Sequence, residues 1–152
     1  MKDIMPSVDI LRRLVFYSLV GASGTVVNEV AFAVLQKVSA LVIAVLVALE
    51  LSILWNFVLN DSITFKDRRG SPFLARLLKF HSASAVGSVV QVMTTLVLFA
   101  LYKGDPVNLV EVVGEVAGLP YFTAALLNLP GIILGFVIRF AMSYLWVWNK
   151  RA

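Results

Sequence analysis

Apolar residues along this 152-residue chain fall into four long runs separated by short polar segments. The runs cover residues 14–36, 40–65, 80–102 and 121–148. Each has at least the roughly 20 residues that an α-helix needs to cross about 30 Å of hydrocarbon. The pattern therefore predicts an all-α polytopic membrane protein, with four transmembrane helices in a single domain over residues 1–152.

Composition agrees with this prediction, since 60% of the residues are hydrophobic and 14% are charged, against about 25% charged in soluble proteins. The first run is longer than the apolar region of a signal peptide and includes Asn28 and Glu29, so we expect it to be retained. With no cysteine and one histidine, the chain is expected to have no metal site and no cofactor. No nucleophile elbow, phosphate loop or metal-ligand spacing occurs, so we expect a protein that is not an enzyme.

Lysine and arginine are distributed unevenly about the predicted spans. On one side, in the two termini and the middle loop, are Lys2, Arg12, Arg13, Lys66, Arg68, Arg69, Arg76, Lys79, Lys150 and Arg151. The other side has Lys37 and Lys103. The positive-inside rule therefore predicts that both termini are cytoplasmic, in the cytoplasmic (plasma) membrane. These cations attract anionic lipids, and without a nucleic-acid-binding motif we expect no nucleic-acid partner.

The chain also aligns with itself, the first run with the third at an offset of 63 residues and the second with the fourth at an offset of 83. The aligned segments are 24–28 with 87–91, and 56–65 with 139–148. Because each half enters and leaves on the same side, we predict two helical-hairpin repeats of parallel topology, 12–66 and 75–150. The second repeat has a longer outer loop, 102–120, whose apolar stretch 107–113 predicts either a short surface helix or an irregular loop.

Several polar side chains lie inside the runs, where an ionised group costs roughly 2.5 to 3.5 kcal/mol. They are Asn28, Glu29, Glu50, Asn56, Asn60, Asp61, Gln91 and Arg139. Hydrogen bonding between helices is one explanation, and contact with a ligand in a polar cavity is the other. Because an unpaired guanidinium is costly in hydrocarbon, we predict that Arg139 pairs with Glu50 and leaves Glu29 neutral or bound to a ligand. Pro130 with Gly131 predicts a kink that either opens a groove near Arg139 or serves packing.

The segment ELSILWNFVLNDSITF, residues 50–65, resembles the GtrA-like family of small four-helix membrane proteins. FYSLVGASGTVVNE at 16–29 and RFAMSYLWVWNK at 139–150 are similar to the first and last helices of that family. The amino-acid sequence of the second run is also similar to that of the membrane domain of some dolichol-phosphate mannose synthases. The polar positions of the family fall here on Asn28, Asn56, Asn60 and Asp61, whereas Arg139 and Ser143 replace asparagines in the second copy.

This resemblance implies binding and transbilayer movement of a polyprenyl-phosphate-linked sugar, for extracytoplasmic glycosylation or polysaccharide synthesis. Intramembrane carboxyl and amide groups would then contact sugar hydroxyls. The cations beside the starts of the first and third runs are predicted to contact the phosphate: Arg12, Arg13, Arg76 and Lys79.

Two alternatives belong to other functional classes. The chain is either a membrane anchor and partner module for a polyprenyl-phosphate glycosyltransferase, without transport, or a small proton-coupled transporter that uses Glu29. In the anchor hypothesis Lys66, Arg68 and Arg69 would meet the enzyme. Assembly into a homo-oligomer is left open.

Overall fold

The computed structural model describes residues 4–104 and 121–149, which contain four α-helices. The helices are α1 Ile4–Leu35, α2 Leu41–Leu59, α3 Phe73–Lys103 and α4 Tyr121–Met142. Each includes or begins a segment that is long and apolar enough to cross a membrane. The described ranges contain no β-strand. The all-α prediction with four spans is confirmed, and the protein is an integral membrane protein.

Large apolar side chains cover the outer surface of the spans. Leu19, Val30, Leu46, Leu78 and Ile133 are each more than half exposed in the isolated chain. A soluble domain would bury such a surface, whereas hydrocarbon solvates it, so these faces contact lipid.

Two helices begin well before the predicted spans, α1 by ten residues and α3 by seven. The sequence-based bounds excluded Arg13 and Arg76 because they are charged. In the structure both arginines lie within their helices and pair with carboxylates. Arginine is a good helix former, so it ends an apolar run without ending the helix. The apolar stretch 107–113 lies outside the described residues.

The second and fourth helices both end in a π-helical turn of five residues. These turns are Asn60–Thr64 after α2 and Ser143–Val147 after α4. The first is closed by the Phe65 N–H, which donates to the Asn60 carbonyl at 2.8 Å. The two turns are related by the same offset of 83 residues that aligns the helices. This agreement supports an internal repeat, while the parallel arrangement of two hairpins stays a prediction.

The chain forms two compact units, Met1–Phe80 with Trp148–Ala152, and His81–Val147. In the first unit α1 and α2 pack antiparallel. Trp55 Nε1 donates to Ser23 Oγ at 3.0 Å. Next to that bond Gly24 lies so close to Asn56 that a methyl group at Gly24 would overlap the amide.

In the second unit glycines bring α3 and α4 into backbone contact. A methyl group at Gly87 would lie 2.8 Å from the Gly135 carbonyl oxygen, and one at Gly131 would lie 2.6 Å from the carbonyl oxygen of Gln91. Pro130 does not end α4, which continues to Met142. The close contact beside Pro130 favours the packing interpretation of this segment, and the groove stays a prediction.

Aromatic rings form the core of the first unit. Phe57, Phe65 and Trp148 are fully buried, and Phe80 is 3% exposed. The rings of Phe65 and Trp148 are stacked, with centroids 4.4 Å apart. Aromatic residues at the end of a span often anchor a chain at the membrane surface, but Phe65 and Trp148 are buried in this core instead. Trp146 is 42% exposed and fits that role.

Candidate functional site

Asp61, on the π turn after α2, is held on several sides. Arg76 donates to it through Nε at 2.7 Å and Nη2 at 3.0 Å, and Trp148 donates through Nε1 at 2.8 Å. Arg69 Nε lies 3.3 Å from the same carboxylate and donates to the Asp61 carbonyl at 2.8 Å. Arg76 also donates to the carbonyl of Ser71. Both partners of the central ion pair are only 7% exposed, so the pair is a buried one.

Arg13 is the centre of a second ion-pair cluster in the same unit, and each nitrogen of its guanidinium has a partner. Its Nη atoms donate to both oxygens of Asp67 at 3.0 and 2.9 Å, and its Nε donates to Asp9 at 2.8 Å. Nη1 donates in addition to the carbonyl of Thr64 at 2.7 Å, and the guanidinium lies 5.7 Å from the Phe65 ring centroid. Arg13 therefore joins the start of α1 to the end of α2.

A cleft of about 240 Å³ opens beside this group. It is lined by Asp9, Arg12, Arg13, Phe16, Ile63, Thr64, Lys66 and Asp67. Arg12 and Lys66 are exposed. The guanidinium of Arg12 lies over the ring of Phe16, whose centroid is 5.7 Å from the guanidinium carbon. Among the described residues, no ion pair or hydrogen bond satisfies the side chain of Lys66.

Further into the span, a row of polar side chains on α2 and its π turn lacks partners. Asn56 Oδ1, Asn60 Oδ1 and Thr64 Oγ1 are buried, and none of the three has a hydrogen bond in the part of the chain that is described. They follow one another at four-residue intervals. Leaving such an oxygen unsatisfied costs about 1 to 3 kcal/mol, so a row of three requires an explanation.

In the second unit Arg139 occupies the position that aligns with Asn56. Its Nη2 donates to Gln91 Oε1 at 2.9 Å and lies 3.4 Å from Ser88 Oγ. A methyl group at Gly87 would meet the Arg139 side chain, with Nε only 2.7 Å away, as one at Gly24 would meet Asn56. Gly24 and Gly87 are related by the offset of 63 residues, and Asn56 and Arg139 by the offset of 83 residues. The two glycine contacts are therefore at equivalent positions of the two halves. Glu50 belongs to the other unit, so its pairing with Arg139 stays a prediction.

Thr95 and Asn128 add a polar contact that was not predicted from the sequence. The Thr95 hydroxyl oxygen is 2.9 Å from Asn128 Oδ1 and 2.9 Å from the Gln91 carbonyl oxygen. A hydroxyl has one proton and can donate to one of these oxygens at a time. If the Asn128 amide is flipped, its NH₂ group donates to the Thr95 hydroxyl and the hydroxyl donates to the Gln91 carbonyl. Asn128 is an isolated polar residue in its apolar run and Thr95 follows directly after Thr94, which is the only signal the sequence offers for them.

The remaining predicted residues are more dispersed. Glu29 and Glu50 are exposed on their spans, and Asn28 is half-buried. Gln91, which aligns with Asn28 at the offset of 63 residues, is hydrogen-bonded to Arg139. Lys79 is half-buried at the basic start of α3.

Comparison with known proteins agrees with this architecture. A protein-family model described as GtrA/DPMS, transmembrane domain, matches residues 16–148. The chain belongs to this family. The GtrA/DPMS domain is also 40% identical over 135 residues to a protein from Pyrococcus furiosus named dolichol-phosphate mannosyltransferase. That alignment covers 88% of this chain and 33% of the relative, so the chain spans about a third of the length of the relative.

The GtrA/DPMS domain contains functional candidates that sequence reasoning underrated. Asp9 and Asp67 were not singled out, although the spacing of Asp9 and Arg13 is that of neighbours on one helix face. Lys66 was predicted to attract anionic lipids or to meet a partner enzyme, and was not predicted to be a phosphate ligand. The pairing of Asp9 with Arg13 was missed because the predicted start of α1 was too late, so that Asp9 lay outside the predicted helix.

Proposed function

We propose that this chain binds a polyprenyl-phosphate-linked sugar within the membrane and takes part in its movement to the opposite leaflet, without catalysing a reaction itself. In that leaflet the lipid-linked sugar would supply extracytoplasmic glycosylation or polysaccharide synthesis. Membership in the GtrA/DPMS family supports the class of ligand. The charge bias of the loops supports cytoplasmic termini in the plasma membrane, with the ligand entering from the cytoplasmic leaflet.

The observation that carries the proposal is the row of unsatisfied oxygens on Asn56, Asn60 and Thr64. The hydrocarbon of a bilayer offers no donor to these groups. Sugar hydroxyls are donors, so a saccharide that passes along α2 would satisfy oxygens that the described residues leave without a partner. Because the oxygens are covered in the structure, α1 and α2 must separate locally near Gly24 to admit the sugar.

The four cations predicted to contact the phosphate have two different roles in this proposal. Arg13 and Arg76 already have carboxylate partners, so we assign them to shaping the basic end of the bundle. Arg12 and Lys79 remain proposed phosphate contacts. We propose that the intramembrane residues on the sugar path are Asn28, Glu29, Glu50, Asn56, Asn60, Asp61, Gln91 and Arg139. Of these, Asp61 acts by holding Arg76, and the exposed lipid-facing surfaces accommodate the prenyl tail.

The decisive experiment is a flipping assay in liposomes that contain the full chain and a labelled polyprenyl-phosphate sugar. We expect transfer faster than in protein-free liposomes, and a several-fold loss for Asn56→Ala. The Asn56 amide makes no hydrogen bond to a described residue, so removing it should leave the fold intact. Val58→Ala, a change at a half-exposed position on the same helix, is the matched control. Equal transfer with and without protein would refute the proposed movement.

A second candidate is supported by the length relationship. A relative named for mannosyl transfer has this domain as only a third of its length, so an anchoring role beside a glycosyltransferase is the alternative. The loop after α2 is fixed, since Arg68 Nε donates to the Trp148 carbonyl at 2.9 Å and Arg69 to that of Asp61. A fixed basic loop is suited to docking. Co-purification of a glycosyltransferase, together with no lipid transfer by the isolated chain, would favour this candidate.

A further inference from the structure

The cleft beside Arg13 has an uneven charge balance. Three cations and two carboxylates line it, so one positive charge is uncompensated. Both carboxylates are directed to Arg13, with Asp67 bound at both oxygens and Asp9 bound to Nε. Arg13 with its two carboxylates therefore carries one net negative charge, and Arg12 and Lys66 carry the two positive charges that give the cleft its net charge of one.

Helix geometry explains why two adjacent arginines differ so much. Successive residues of an α-helix point about 100° apart, so when Arg13 faces α2 its neighbour must turn away. Arg12 instead lies over the ring of Phe16, one turn further along α1. This cation–π contact keeps the guanidinium at the cleft and leaves its N–H donors available.

The walls of the cleft combine the two properties of a lipid headgroup site. Arg12 and Lys66 provide donors and positive charge, and Phe16 with Ile63 provide exposed apolar surface. The span that contains Ile63 ends at Thr64, which places the cleft at the end of the hydrophobic segment. A volume of about 240 Å³ is below the range of roughly 300 to 1,000 Å³ for whole small-molecule pockets, so it suits a headgroup rather than a complete lipid.

We propose that this cleft binds the phosphodiester anion of a membrane lipid, with Arg12 and Lys66 as the phosphate ligands and with Arg13, which its two carboxylates hold in place, as part of the wall. The identification of that lipid as a polyprenyl-phosphate sugar rests on the proposed function. A single negative charge on the phosphodiester balances the single uncompensated positive charge. Arginine contributes a forked pair of donors and lysine a point charge.

The test measures lipid binding to the full chain in nanodiscs or by native mass spectrometry, with polyprenyl-phosphate sugar, phosphatidylglycerol and inorganic phosphate as separate probes. We expect Arg12→Gln and Lys66→Gln each to weaken binding of the polyprenyl lipid roughly tenfold, the usual loss for a hydrogen bond to a charged group. Lys37→Gln removes the same charge at the opposite end of α1 and should have no effect. Arg12→Lys should restore part of the loss.

The outcomes separate the cleft from the function. If the unmodified chain binds the polyprenyl lipid and the two variants bind it equally well, the cleft assignment is wrong and the proposed function stands. If the unmodified chain binds only phosphatidylglycerol, and loses it on Arg12→Gln, the cleft is a phosphodiester site and the proposed function is wrong. Binding of inorganic phosphate as tight as that of either lipid would overturn the lipid assignment.

Discussion

The buried ion pair between Asp61 and Arg76 gives the sharpest stability prediction. In Asp61→Asn the shape is kept and the negative charge is lost. The guanidinium of Arg76 is 7% exposed and would be left without a compensating charge. Breaking a buried pair by removing one partner costs about 3 to 5 kcal/mol. For a chain of this size that loss corresponds to a fall in Tm on the order of 10 °C.

The assay is reversible unfolding in mixed micelles by titration with sodium dodecyl sulfate, followed by tryptophan fluorescence. Arg69→Gln is the matched control, since Arg69 contacts the same carboxylate with a side chain that is 42% exposed. Exposed pairs contribute less than about 1 kcal/mol, so its effect should be small. In the double variant Asp61→Leu with Arg76→Met both charges are gone, and most of the lost stability should return.

The measurement can contradict this reasoning in a simple way. If Asp61→Asn lowers the free energy of unfolding no more than Arg69→Gln does, then water or lipid headgroups compensate Arg76 and the pair is not buried in the membrane. A double variant less stable than either single one would show instead that the packing around Trp148, and not the charge, sets the cost.

Two further stability predictions come with internal controls. Gly87→Ala should lower the free energy of unfolding by about 1 to 3 kcal/mol, because the methyl group would overlap Arg139, whereas Gly21→Ala has open space and should be neutral or stabilising. Trp148→Ala should cost about 3 to 5 kcal/mol through the loss of a fully buried ring, and Trp146→Ala much less because that ring is 42% exposed. Thermal unfolding monitored by circular dichroism would check both pairs, and equal losses within a pair would contradict the packing described.

Much of the architecture could be predicted from the sequence because a bilayer imposes length and polarity on every span. Four apolar runs sufficed to predict four helices, and the family resemblance from residues 50–65 is confirmed by the match to the GtrA/DPMS family. The helix starts were predicted less well. Hydropathy treats Arg13 and Arg76 as boundaries, whereas pairing with carboxylates lowers the cost of burying them.

The role of each charged residue could not be predicted from the sequence. Arg12 and Arg13 are adjacent and chemically identical, yet one is exposed at a cleft and the other is held by two carboxylates. The difference depends on the rotation of α1 against α2 and on a loop that brings Asp67 back to the start of α1. Contacts between residues more than fifty positions apart are not encoded in any local pattern.

The sequence by itself determined the number of spans, the polar positions within them and the offsets that relate the two halves, because these depend only on hydrophobic length and residue order. The tertiary structure decided which polar groups are satisfied. Asp61 and Arg13 are neutralised by partners, whereas Asn56 Oδ1 and Asn60 Oδ1 have none among the described residues. The physical reason is that desolvation acts on every buried polar group, while compensation requires a partner at hydrogen-bond distance, and that distance is set by helix packing alone.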